Sequence, residues 1–315
     1  MDENQTPMVM TRRQFSTWLA GLAAGAVLAR RSFGENTVRP LRVAVSVDTL
    51  AGANVSDARA AYRVWTREVT ASLGITSVEV VPEIFVPSDQ IIRMIRHGEI
   101  DLFGITAWEY AKVADFVDAS SVLVEDYIGD GMQYVLLVHN ASPFKKLADL
   151  HGGHLTTHIH RDMNLLPAWI GNLLAGDNLP RMDVFFGEQV ARDSVTQVVL
   201  PVFFRRMDAA CLARRHFEIA AELNPQLGKD LHALAISPKI VPIALCFHKN
   251  CSAAAEGFLK NAIIRSASLP AGQQIAALYQ SRGFATQSSS CMNATLEMLR
   301  EYARALSPGP RKERP

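Results

Sequence analysis

The strongest constraint on this chain is an alternation of strand-like and helix-like segments that runs through once, breaks, and starts again. Residues 41–47 are an apolar, β-rich run, and residues 56–73 carry Ala60, Val64, Trp65, Val69 and Leu73 at helical spacing until Gly74 stops them. Residues 78–81 predict a second short strand, 88–97 a helix ended by Gly98, and 100–104 a third strand feeding a helix from Ala107. Residues 134–138 are again β-rich, and Asn140-Ala141-Ser142-Pro143 breaks the chain. The pattern then resumes with a strand at 153–157, a helix at 164–174, a strand at 183–186, a helix at 194–204 and a strand at 208–212. Residues 240–247 read as a strand able to return to the first unit, followed by helices at 253–267, 272–282 and 294–306. Such alternation predicts an α/β fold with largely parallel sheets. The expected lobes are residues 38–134 plus 243–306 and residues 135–242, with 307–315 a frayed tail.

Composition narrows the function classes. A chain of 315 residues with 49% hydrophobic and 20% charged residues can build a large core, which excludes disorder and a disulfide miniprotein. Lys and Arg number 32 against 31 Asp and Glu, so the charge of +1 offers no general attraction for nucleic acid, and any anion site must be local. Four cysteines without a CxxC pair do not form a structural zinc knuckle. No GxSxG, GxGxxG, Walker loop or HExxH occurs, so the expectation is a protein without catalysis or cofactor.

The first residues read as an address. Thr11-Arg12-Arg13-Gln14-Phe15 precedes a small-residue, apolar run over 18–29 that suits a signal peptide and is short for a membrane span. The Arg pair resembles the twin-arginine motif of folded-protein export, predicting cleavage after Ala29 and a periplasmic mature protein. Arg30-Arg31 beyond that point leaves a retained N-terminal anchor as the alternative.

Several segments, in order from about residue 41 to 305, together resemble the phosphate-, phosphite- and phosphonate-binding periplasmic proteins of ABC transporters. They are the strand 41–47, Ala61-Tyr62, Gly98-Glu99-Ile100-Asp101-Leu102-Phe103-Gly104 leading to Trp108 and Tyr110, and residues 147–153 (LADLHGG). Pro167, Met207-Asp208-Ala209-Ala210, Ser237-Pro238 and Val241-Pro242 complete the match. The resemblance implies a type II solute-binding fold: two α/β lobes hinged on two crossing strands, a small anionic ligand in the cleft, and a monomer serving an inner-membrane permease or a sensor kinase.

It also implies where the ligand sits. The family's oxyanion-holding stretch before a proline falls on His160-Arg161-Asp162-Met163, where Arg161 stands in place of neutral hydroxyls. A guanidinium fork suits bidentate oxyanion binding, and His160 adds a titratable donor; the competing reading pairs Arg161 with Asp162 or neighbouring carboxylates at the surface. Arg192-Asp193 replaces the family's His-acid step, and Arg214, after Asp208, stands near an acidic position of amine-binding relatives, as does Ala244. These replacements imply an oxyanion without an amine. From the first lobe, Thr106, Trp108 and Tyr110 follow a strand end, where open α/β sheets bring ligands, although Trp108 and Tyr110 equally suit interior packing. Ser46 and Asp48 end the first strand and offer further polar contacts.

Two rival chemistries arise from the same stretches. His151, His154, His158 and His160 place four of nine histidines close together, as for a metal receptor, though no metal-ligand spacing is matched and loop histidines account for them equally well. Cys211 at a strand end suits either an arsenite-sensing thiol or a small buried hydrophobe. Cys251 and Cys291 each begin a helix, and sequence does not select a pairing.

Overall fold

The computed structural model describes residues 41–50, 54–72, 84–270, 272–274 and 283–307. The expected signal segment, the strand at 78–81, most of the helix at 272–282 and the tail beyond 307 lie outside the described residues. In chain order the strands are β1 (Val43–Ser46), β2 (Phe85–Val86), β3 (Leu102–Thr106), β4 (Ser121–Glu125), β5 (Tyr134–His139), β6 (Leu155–His158), β7 (Gln189–Arg192), β8 (Ala209–Ala213), β9 (Leu231–Ile236), β10 (Ile243–Phe247) and β11 (Phe284–Ser288).

They build two sheets, ordered β11-β4-β10-β3-β1-β2 and β7-β6-β8-β5-β9. In the first, β1 runs parallel to β2 and β3, while β10 enters antiparallel between β3 and β4. In the second, β6 runs parallel to β7 and β8, while β5 pairs antiparallel with β8 and β9. Each sheet is therefore a parallel trio extended by further strands, among them one that arrives from the other lobe: β10 in the first and β5 in the second. The period-2 pattern of β5 fills both sides of its sheet. Val135 and Leu137 meet Val198, Val199 and Val202 of helix Val195–Phe203, while Leu136 and Val138 join the core that contains Trp169 and Ile170 of helix Leu166–Gly176.

Two crossing segments, 126–133 and 237–242, join the lobes. They pair through a Met132–Ile240 bridge, with Met132 N–H to Ile240 C=O at 2.9 Å and Ile240 N–H to Met132 C=O at 2.8 Å. Ser237 fixes the same junction by accepting the Tyr134 N–H on its hydroxyl at 2.8 Å. Gly131 has φ +142°, and a Cβ there would lie 2.8 Å from the Lys239 Cβ, so only glycine lets the segments approach this closely. The terminal helix Asn293–Leu306 packs on helix Leu166–Gly176 of the second lobe and on helix Ala107–Val113 of the first. There Gly171 lies so near Tyr302 that a Cβ would fall 2.4 Å from the ring.

Local readings differed in places. The apolar run expected as a strand at 183–186 is a single helical turn, Met182–Phe185, which buries Phe185 and leaves Val184 exposed; the strand is the next segment, β7. Strands β4, β9 and β11 were not anticipated. The helix expected at 164–174 begins after a 3-10 turn, Arg161–Met163, and has Pro167 in its first turn, where a missing N–H does no harm.

Candidate functional site

The C-terminal ends of β1, β3 and β4 meet those of β6 and β8 where the lobes face each other, the position at which open α/β sheets present loop groups and helix N-termini. Thr106 ends β3 and caps helix Ala107–Val113 in a reciprocal capping box with Glu109. The Glu109 carboxylate accepts from the Thr106 amide at 2.8 Å, the Thr106 hydroxyl at 2.9 Å and the Ser46 hydroxyl at 2.5 Å. Both hydroxyls offered by the sequence reading are thereby engaged within the first lobe. Asp48 stands beside this group, its carboxyl raised by burial and then by the Glu109 charge. Glu109 was not singled out from the sequence, although its Thr-x-x-Glu spacing is a readable capping signature.

At the centre Arg161 crosses from the second lobe to bond Glu125, the last residue of β4. Glu125 is 5%, Arg161 7% and Asp162 0% exposed, so the pairing takes place out of water rather than at the surface. The Asp162 carboxylate lies 4.0 Å from Arg161 Nε and accepts the Tyr127 hydroxyl at 2.5 Å, while the Tyr134 hydroxyl donates to the Asp162 carbonyl. Arg161 also points a guanidinium N–H at the Tyr127 oxygen, 3.4 Å away. Burial pushes the Glu125 carboxyl up, and the Arg161 charge only partly offsets it. Burial opposes charge on Asp162 as well, but its bond with His160 and the nearby Arg161 bring the carboxyl below its ordinary value.

Beside this group His160, His158 and His216 cluster. His160 caps the Arg161–Met163 turn by accepting the Asp162 N–H at Nδ1, 3.3 Å away. Its ring stacks on His158 at 5.4 Å and meets His216 edge-on at 5.0 Å. Burial first, then the neighbouring His160 and His158, lower His216 to about 4, so it is a neutral imidazole at neutral pH. Trp108 joins the lobes differently: its indole N–H donates to the Asn164 carbonyl at 3.0 Å, and its ring meets Tyr302 edge-on at 6.0 Å.

Thus His160, Arg161, Asp162 and Trp108 converge between the lobes, while Thr106, Arg192 and Arg214 stand at the C-terminal ends of β3, β7 and β8 without sharing those contacts, and Tyr110 and Asp208 lie away from them. Tyr110 is a core side chain whose phenol burial pushes up to about 12. Arg192 is exposed on the edge strand β7, with Nη1 on the Ala191 carbonyl. Asp208 precedes β8, at the end of the sheet away from His158, and its carboxylate accepts the His154 N–H at 2.7 Å. Arg214 sits at the end of β8 and is held by Glu218 at 2.8 Å and Gln133 at 3.0 Å. Ala244 is buried in β10. The four-histidine cluster divides: His151 packs on Phe185 and His154 lies by Asp208, so only His158 and His160 reach the cleft. Cys211 is wholly buried and its thiol pushed up by that burial, the reverse of what a metalloid-binding thiolate needs. Sequence reasoning missed Glu125, Tyr127 and His216.

A family model for the phosphonate periplasmic substrate-binding protein of ABC transporters matches residues 50–290. No curated protein sequence matches the chain. Among solved structures, a binding protein component of an ABC phosphonate transporter from Pseudomonas aeruginosa is 13% identical over 85% of this chain and 88% of its own, with a TM-score of 0.50. A Xanthomonas citri protein bound to ATP is 14% identical over 85% of this chain and 98% of its own, with a TM-score of 0.54. A Prochlorococcus marinus protein in complex with methylphosphonate is 18% identical over 85% and 98% of the two chains, with a TM-score of 0.49.

Proposed function

The chain belongs to the family of periplasmic substrate-binding proteins of phosphonate ABC transporters, built on the two-lobed type II solute-binding fold, and from that premise we propose that it captures a small oxyanion without an amine through Arg161. The observation that carries this reading is the buried guanidinium spanning the lobes at the C-terminal ends of both sheets. A phosphonate or phosphite head group would take the fork from Glu125, with His160 and the Tyr127 hydroxyl as neighbouring polar contacts. The protein binds and releases its ligand without turnover, works as a monomer, and hands the ligand to the permease. Arg12 and Arg13 direct its export in the folded state.

Hinge bending about the paired crossing segments gives the ligand access. Opening separates Arg161 from Glu125 and Trp108 from Asn164, and a bound oxyanion replaces the first of these contacts.

Calorimetry with methylphosphonate, phosphite, phosphate and 2-aminoethylphosphonate tests the reading. A charge-assisted bond is worth roughly 1.5–3 kcal/mol, so Arg161→Ala should weaken binding by about ten- to a hundredfold, with Arg161→Lys restoring part of it. Wild-type affinity in Arg161→Ala, or a preference for the aminophosphonate, would show the assignment to be wrong.

A further inference from the structure

We propose that His160, Asp162 and His216 form a binding site for one divalent cation of the zinc class, beside Arg161. The three residues come from the capped 3-10 turn that follows β6 and from the first turn of helix Arg214–Leu223, and each offers a ligand atom within 4.8 Å of the other two. His216 stands perpendicular to both His160 and His158, at 5.0 and 5.3 Å between ring centroids. The arrangement is well fixed: the Tyr127 hydroxyl holds the Asp162 carboxylate at 2.5 Å, and His158 Nε2 lies 3.3 Å from the Asp193 carbonyl. An outer hydrogen bond of this kind orients a ligand for a metal.

The same place gathers unsatisfied polar atoms. Asp162 Oδ1 and His216 Nδ1, both of this group, are buried without a hydrogen-bond partner among the described residues. Buried polar atoms nearly always find partners, so two within one group of three possible ligands call for a shared one. Imidazole nitrogens and a carboxylate present lone pairs, which a cation satisfies together.

The donor set selects the ion. Two imidazoles and one carboxylate suit zinc and its neighbours, whereas magnesium and calcium take oxygen ligands. Tetrahedral zinc bonds of about 2.0–2.2 Å bring ligand atoms to roughly 3.3–3.5 Å apart, so modest side-chain rotations close the site and leave a fourth position for water or an anion oxygen. The site rests on these side chains and not on the identity of the transported anion.

The test uses the full chain purified without a histidine tag and stripped with EDTA. Calorimetric titration with Zn²⁺ should show one site per chain at micromolar affinity or tighter, weakened about a hundredfold in His216→Ala and in His216→Gln and unchanged in His154→Ala. Co²⁺ added to the wild-type protein should give the intense visible bands of a tetrahedral site, a readout independent of any variant's folding. Absence of saturable Zn²⁺ binding, displacement by a hundredfold excess of Mg²⁺, or full affinity in folded His216→Ala and His216→Gln would overturn the proposal. Methylphosphonate titrated into the EDTA-treated protein reads the anion site separately, so failure of one reading is distinguishable from failure of the other.

Discussion

Replacing Glu125 by Gln separates the two roles of the carboxylate that faces Arg161. The amide keeps the shape and one acceptor oxygen but removes a negative charge that competes with an incoming oxyanion for the same guanidinium. A carboxylate and an oxyanion on opposite sides of the fork stand about 5 Å apart, and two like charges at that distance repel by about 3 kcal/mol at an effective dielectric of about 20. Some of this is relieved as the lobes adjust, so methylphosphonate should bind Glu125→Gln about ten- to a hundredfold more tightly than wild type. In the ligand-free protein the neutral amide, like the protonated carboxyl that burial favours, should leave the melting temperature near that of wild type at neutral pH.

The pH dependence follows from the direction of the Glu125 shift. Burial raises its folded pKa, so its favourable contribution to stability is complete below the unfolded value and is lost as pH rises through the folded one. Anion binding favours the same protonated form. The affinity gap between Glu125→Gln and wild type should therefore be small in acid and widen as pH rises, while ionisation of the ligand itself is common to both proteins and cancels in the ratio. Calorimetry across pH with parallel melting curves decides it. Equal or weaker methylphosphonate binding by Glu125→Gln would refute the competition argument.

Two further substitutions address the frame. Asp208→Ala should leave ligand affinity unchanged and lower stability by about 1 kcal/mol, because its carboxylate serves the His154 amide at the far end of the second sheet; calorimetry and chemical denaturation read the two effects. Gly171→Ala drives a methyl group into Tyr302 and should destabilise by roughly 1–3 kcal/mol, seen as a lower denaturation midpoint with an unchanged slope.

The sequence made the frame legible wherever local chemistry decides structure. The strand opening at Val43, the helix capped by Thr106 and the strand at Ile243–Phe247 each have an apolar period and a recognisable boundary. Strand β11, Phe-Ala-Thr-Gln-Ser, carries no such pattern because it is a polar edge strand that takes its register from β4. Met182–Phe185 misled because one buried phenylalanine in a short apolar run fits a helical turn as well as a strand. The same division holds at the site. Arg161 was found because its neighbours along the chain mark it, but its partner Glu125 lies on a strand brought alongside by topology alone. His216 is likewise separated from His160 by most of the second lobe, and only the parallel pairing of β6 with β8 unites them.

The position of β10 fixes the order in which this molecule can be completed. Leu245 pairs with Gly104 on one side and Leu123 on the other, so the middle of the first sheet is supplied by a segment synthesised after the whole second lobe. A nascent chain that ends before Ile243 has every strand of the second sheet but leaves β3 and β4 without the strand between them, two open edges facing a gap. The second lobe can fold as the ribosome releases it; the first must wait with its apolar faces unsealed. Such long-range pairing folds slowly, and the interval before β10 arrives is when this chain most needs shelter from its own copies.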